Sequence, residues 1–218
     1  MNFRADIRSF LEYTQEVYGD TLYVSAADSG SDADLVREHQ AAIRDCKKCS
    51  LGEQRTHFVY GVGDTTASLM LVGEAPGEQE DLKGEPFVGR AGKLLDKILA
   101  AIDRSRDKDV FICNVLKCRP PSNRDPLPSE VAQCEPYLIK QIELINPTLL
   151  VALGRIAGKT LLQVEQPLKD MRGKIHDYHG TPLIVTYHPA ALLRNSALKR
   201  PAWEDFKWIR DILEGQAS

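Results

Sequence analysis

Four short apolar runs, set apart by stretches of helical periodicity, limit what this chain can fold into more than any other feature. They are residues 69–73 (LMLVG), 110–114 (VFICN), 149–154 (LLVALG) and 183–187 (LIVTY), each ending at a glycine or a polar position. A run without polar alternation has no face to offer water, so these segments are expected as strands buried on both sides, the condition of a parallel sheet. Between them, residues 91–102 and 129–145 carry apolar positions at helical spacing, the second stretch opened by Pro128. Trp203, Phe206, Ile209 and Leu213 give a closing amphipathic helix. The alternation predicts an α/β fold, a three-layer α/β/α domain around a four-stranded parallel sheet.

Domain organisation follows from where this rhythm begins. Phe3, Ile7, Phe10, Leu11, Val17 and Tyr18 recur at helical spacing ahead of the polar run SAADSGSDA at 25–33. That predicts an N-terminal helix and linker over residues 1–32, and one main domain over 33–218 that opens with a helix marked by Leu35, Ala42 and Ile43. With 218 residues, 43% of them hydrophobic, the chain has enough apolar material for a sizeable core. Its net charge of -3 argues against a histone-like binder, so any contact with nucleic acid must come from a local positive field. No stretch approaches the apolar length of a bilayer span and the first residues lack a signal-peptide core, so a cytoplasmic monomer without membrane contact is expected. Thiols stay reduced there. Cys46-x2-Cys49 with Cys118 and Cys134 therefore reads as a metal site or redox pair in preference to a disulfide framework, and its spacing is compatible with zinc or with a [4Fe-4S] cluster. Cys113 falls inside an expected strand as a small buried residue and stays outside that set.

In an open parallel sheet, ligands bind outside the carboxyl ends of the strands. The residues there are Glu74, Ala75, Pro76 and Gly77, then Asn114, Gly154 and His188. A glycine-bounded turn with free amides, a side-chain amide that both donates and accepts, and an imidazole suit a planar heterocycle better than a phosphate chain. Three other motifs are weaker. Residues 154–160 (GRIAGKT) have three residues between the glycines where a phosphate loop needs four, and read as a helix start. Gly61-Val-Gly63 precedes its strand and lacks a third glycine. His176 and His179 are better explained by a polar β-hairpin around Gly180 than by a metal pair.

Residues 73–81 (GEAPGEQED), 86–92 (PFVGRAG), 114–121 (NVLKCRPP) with 123–126 (NRDP), and 188–194 (HPAALLR) occur in one order across roughly residues 42 to 213. In these motifs the chain resembles the family 4, iron-sulfur, uracil-DNA glycosylases. The resemblance implies that uracil is flipped out of single- or double-stranded DNA and its N-glycosidic bond hydrolysed, starting base excision repair. It implies a catalytic set of His188, Asn114 and Glu74, and a pyrimidine site of Glu74, Ala75, Pro76, Gly77, Glu80, Phe87, Asn114 and His188. Phe87 would stack on the ring, Asn114 would pair with O4 and N3–H, and neutral His188 would stabilise charge at O2. Glu80 would exclude thymine by blocking C5, or is solvated helix surface. Family 1 enzymes keep an aspartate in this first motif to orient water, and no aspartate occupies the corresponding place here, so the chemistry leans on stabilising the leaving base. Leu192 and Leu193 would act as wedges in the DNA and Arg194 as a phosphate partner. Lys117 and Arg119, with Lys47, Lys48 and Arg124, would form the positive patch. The resemblance also selects a [4Fe-4S] cluster on Cys46, Cys49, Cys118 and Cys134. A non-catalytic iron-sulfur nucleic-acid module of the same fold, and a glycosylase with broader deaminated-base specificity, are the alternatives.

Overall fold

The computed structural model describes residues 31–216; of the helix and linker expected over residues 1–32, all but Ser31 and Asp32 lie outside the described residues, and Asp32 already opens the first helix. The chain runs α1 (Asp32–Ile43), α2 (Leu51–Gln54), β1 (Val62–Gly63), β2 (Leu69–Gly73), α3 (Glu78–Lys83), α4 (Arg90–Ala100) and β3 (Val110–Asn114). There follow α5 (Pro128–Ile145), β4 (Leu149–Leu153), α6 (Arg155–Leu162), α7 (Leu168–Met171), β5 (His176–Tyr178), β6 (Thr181–Thr186), α8 (Pro189–Arg194) and α9 (Lys199–Leu213).

Strands β3, β2, β4 and β6 are the four apolar runs, and they lie parallel in that order. Every residue of β2, β3 and β4 is buried, as strands covered on both faces require. The sheet has six strands because two short antiparallel strands extend its edges, β1 on β3 and β5 on β6. Neither edge strand carries an apolar run: β1 is two residues long and β5 reads His-Asp-Tyr, too little for periodicity to register. The β5–β6 pair is the hairpin expected around Gly180, which turns at φ +85°.

Alternate strand residues feed two cores. Met70, Val72, Phe111, Leu150 and Val185 pack with Leu138 and Ile142 of α5 and Leu161 of α6. Leu69, Leu71, Ile112, Val151 and Ile184 pack with Leu95 and Leu99 of α4 and Phe206 and Ile209 of α9. Each such side chain stabilises the fold by about 1.5–3 kcal/mol relative to exposure. The first helix of the domain buries Ile43 as expected, together with Val36, and leaves Leu35 and Ala42 at the surface.

The registers place Gly73 opposite Asn114 and Leu153 opposite Thr186, so the carboxyl ends of the four parallel strands form one rim. The chain passes from β2 to β3 on one side of β2 and returns through β4 on the other. The rim between β2 and β4 is therefore the topological switch point where such sheets bind ligands.

Candidate functional site

A cavity of about 580 Å³ opens at this rim. Glu74, Ala75, Pro76, Gly77, Glu80, Phe87, Asn114 and His188 all line it, joined by Arg194 from the end of α8. Two glycines let the walls meet. A Cβ on Gly73 would lie 2.2 Å from Asn114 Oδ1 and 2.8 Å from the Phe87 ring, so only glycine admits both side chains to the end of β2. Gly154, at φ +99°, would place a Cβ 2.8 Å from His188 Cβ, and both its backbone and its neighbour exclude a side chain.

Phe87 is buried, with φ +53°, a left-handed conformation that costs a non-glycine residue roughly 1–3 kcal/mol. Arg106 holds it there by donating Nη1 to Pro86 O at 2.8 Å and Nη2 to Phe87 O at 2.6 Å, while Asp96 accepts from its Nε. Nothing in the sequence around Arg106 signals this clamp, because its partners lie twenty residues upstream. The Phe87 and His188 rings stack, centroids 5.4 Å apart at 29°.

His188 is the N-cap of α8. Its Nδ1 accepts from Ala190 N–H at 3.1 Å, leaving Nε2 as the nitrogen that carries the proton of the neutral ring. Enclosure, with Arg194 nearby, lowers its pKa to about 4, so the ring is neutral at pH 7. Glu74 is pushed the other way. Burial, with the Asp125 carboxylate nearby and Arg155 opposing, raises its carboxyl to about 7. Asp125 and Arg155 also line the cavity, and the sequence motifs gave neither a role in it.

Other expected residues lie elsewhere. Lys117 is fully buried, its Nζ donating to Asn114 O and Gln141 Oε1, so it cannot form part of a DNA-facing surface. Leu192 is buried at 2% exposure and packs inward, so it is not an available wedge; its neighbour Leu193 is 43% exposed. Arg119 is half-buried, donating to Asn123 Oδ1 at 2.8 Å. Arg124, half-buried at the cavity, is held by Glu130, which also accepts from Leu127 N–H and so caps α5.

Cys46, Cys49, Cys118 and Cys134 line a second, small cavity with Phe58 and Tyr137, and all four thiols are free. Cys113 is buried in β3, apart from them. Three of the four sulfurs already receive donors: Tyr137 Oη–H to Cys46 at 3.2 Å, Arg55 Nη1–H to Cys118 at 3.3 Å and Lys117 N–H to Cys134 at 3.3 Å. Arg55 also donates to Cys46 O and Arg44 O, stitching the two ends of the cysteine loop, and it too went unsignalled. As they stand, no three His, Cys, Asp or Glu side chains among the described residues are grouped to hold a metal ion. No helix among the described residues is long and apolar enough to cross a membrane.

The chain belongs to the uracil DNA glycosylase superfamily, which residues 60–207 match. It is similar to the Type-4 uracil-DNA glycosylase of Archaeoglobus fulgidus, 45% identical over 187 residues that cover 82% of this chain and 92% of the relative. The Type-4 uracil-DNA glycosylase of Thermotoga maritima is 42% identical over 176 residues, 79% of this chain and 91% of that one. The Type-5 enzyme of Thermus thermophilus is 30% identical over 149 residues, 60% of this chain and 68% of its own.

Proposed function

We propose that this protein is a uracil-DNA glycosylase that flips uracil out of DNA, hydrolyses its N-glycosidic bond and so begins base excision repair. The observation that carries the reading is the meeting of Asn114, Phe87, neutral His188 and the 74–77 backbone in one cavity at the switch point. The Asn114 amide accepts from uracil N3–H and donates to O4; cytosine offers the reverse pattern there and is rejected. As the bond from C1′ to N1 breaks, its electron pair passes to the base, and His188 Nε2–H donates to O2 where the negative charge gathers. Water adds to C1′ and gives its proton to the Glu74 carboxylate, which is about half ionised at neutral pH. Arg194, which lines the cavity, would meet a phosphate, and exposed Leu193 beside it in sequence would occupy the gap in the strand.

Cys46, Cys49, Cys118 and Cys134 are the residues that would hold a [4Fe-4S] cluster. The donor set fits it in chemistry: four cysteines line one cavity, and N–H and O–H groups already point at three of their sulfurs, as electron-rich thiolate ligands require. Such a cluster would pin the Cys46 loop against the segment from Cys118 to Cys134, presenting Lys47, Lys48 and Arg119 to DNA. A cytoplasmic setting, in which cysteine ligands stay reduced, and a monomer complete the reading. The deciding assay is release of free base from a uracil-containing oligonucleotide, with thymine-mismatch, hypoxanthine and xanthine substrates in parallel. Uracil release is expected; no release by metal-loaded protein removes the reading.

A further inference from the structure

We infer that Lys117 is a positioning residue that acts through Asn114, fixing the end of β3 and setting a positive potential behind the amide where the departing pyrimidine turns negative. The inference rests on the glycosylase reading and adds to it a residue placed outside the cavity wall.

Lys117 has no solvent exposure at all. Its Nζ donates to Asn114 O at 2.7 Å and to Gln141 Oε1 at 2.5 Å, with the Cys113 thiol beside it, and no carboxylate pairs with it among the described residues. Gln141, equally buried, is oriented by donating its own Nε2 to Tyr60 O at 2.9 Å. Lysines are almost never fully buried unless paired with an acid, because an interior ammonium forfeits its hydration. A neutral side chain of similar length would fill the space without that cost, and a neutral donor would suffice to hold one carbonyl. A positive group kept at the expense of stability, one bond from the residue that reads the base, breaks a local rule where function is expected to break it. Fields act further in a dry interior than in water, so a cation bonded to the Asn114 backbone still favours an anion against the Asn114 side chain. Lys117 also donates its backbone N–H to Cys134 Sγ, so the same residue joins the pocket to the cysteine cavity.

Gln141 gives the test, because it lies on α5 outside the cavity and can be changed in two opposite ways. Gln141→Glu keeps the acceptor and supplies the missing counter-charge; Gln141→Met removes the acceptor and leaves the charge bare. Single-turnover uracil release is measured for both, alongside affinity for an oligonucleotide carrying a non-hydrolysable uracil nucleotide. The expected order is a loss of at least tenfold in rate for Gln141→Glu and less than threefold for Gln141→Met, with affinity within threefold of wild type in both. Lys117→Met, where it folds, is expected to match Gln141→Glu. A purely structural network reverses the order, Gln141→Met being the slower. That reversal, or a wild-type rate in Gln141→Glu, overturns the inference while wild-type activity leaves the glycosylase reading standing; a wild type that releases no uracil overturns both.

Discussion

Ala190 N–H donates to Nδ1 of His188 while enclosure and Arg194 lower the pKa of the ring, so hydrogen bonding and electrostatics hold the same neutral tautomer. A ring fixed in this state donates from Nε2 without first taking up a proton. His188→Ala and Asn114→Ala are each expected to slow uracil release by about 10²–10³, the scale of losing one preorganised donor to a developing anion. Circular dichroism of both variants should match wild type, and normal turnover in either removes that residue from the site. The pH dependence separates His188 from Glu74. With Glu74 raised to about 7 and serving as a carboxylate, the rate should climb with pH up to about 7 and level off, and Glu74→Gln should abolish that limb. His188, lowered to about 4, contributes no limb between those values. In stability the signs oppose. A depressed histidine is protonated in the unfolded chain first, so stability falls as pH drops from 6.5 towards 4, and His188→Ala should reduce that loss in denaturant titrations at pH 4 and pH 7. A raised carboxyl instead loses stability as pH rises through its folded value, so Glu74→Gln should flatten the curve near pH 7.

Gly73 shows how an element end becomes a binding site. It closes β2 at the register position opposite Asn114, and a methyl group there would strike Asn114 Oδ1 and the Phe87 ring at once. Gly73→Ala is expected to cost about 1–3 kcal/mol by overpacking and to reduce uracil release by more than tenfold, read by thermal denaturation and the oligonucleotide assay together. The same element ends show what the chain's own text reveals. The four parallel strands were legible because strands buried on both faces need unbroken apolar runs, and the cavity wall was legible because ligands gather where those runs stop. Edge strand β1 was not, since two residues carry no period, and polar β5 was legible only as an arm of the hairpin around Gly180 and not as a strand of the sheet. Two adjacent leucines on a six-residue helix cannot both face inward, and only packing decides that Leu192 does and Leu193 does not. Lys117, with Arg119 two residues on, reads as surface; what receives it in the interior is Gln141, twenty-four positions away on α5. Arg106 and Arg55 were hidden for the same reason, since each earns its role through carbonyls and sulfurs distant in sequence.

Across the whole molecule, the four cysteines do a job that neither main core does. Their cavity packs on a separate buried cluster of Leu51, Leu116 and Cys118, which meets one of the two layers on the sheet through Phe58 and Val131. The residues that close it lie as far apart in sequence as Cys46 and Tyr137, so ordering this corner depends on long-range ties: Arg55 to Cys118, Tyr137 to Cys46 and Lys117 N–H to Cys134. Ligation by a cluster would add its binding free energy to exactly those ties and little to the sheet, because metal affinity for a site absent in the unfolded chain is folding free energy. Protein purified without oxygen is therefore expected to contain iron and sulfide, whereas stoichiometric zinc in such material contradicts the assignment. Cys134→Ser should lose most of the iron yet keep protection of β2, β3, β4 and β6 in hydrogen exchange. Amides of residues 43–56 and 117–134 should exchange at least tenfold faster, and with that surface loosened its cations Lys47, Lys48 and Arg119 should bind DNA less tightly, with a shallower dependence on salt. Uniform loss of protection across the sheet would instead make the cysteine corner part of the central core, contrary to the packing that sets it apart.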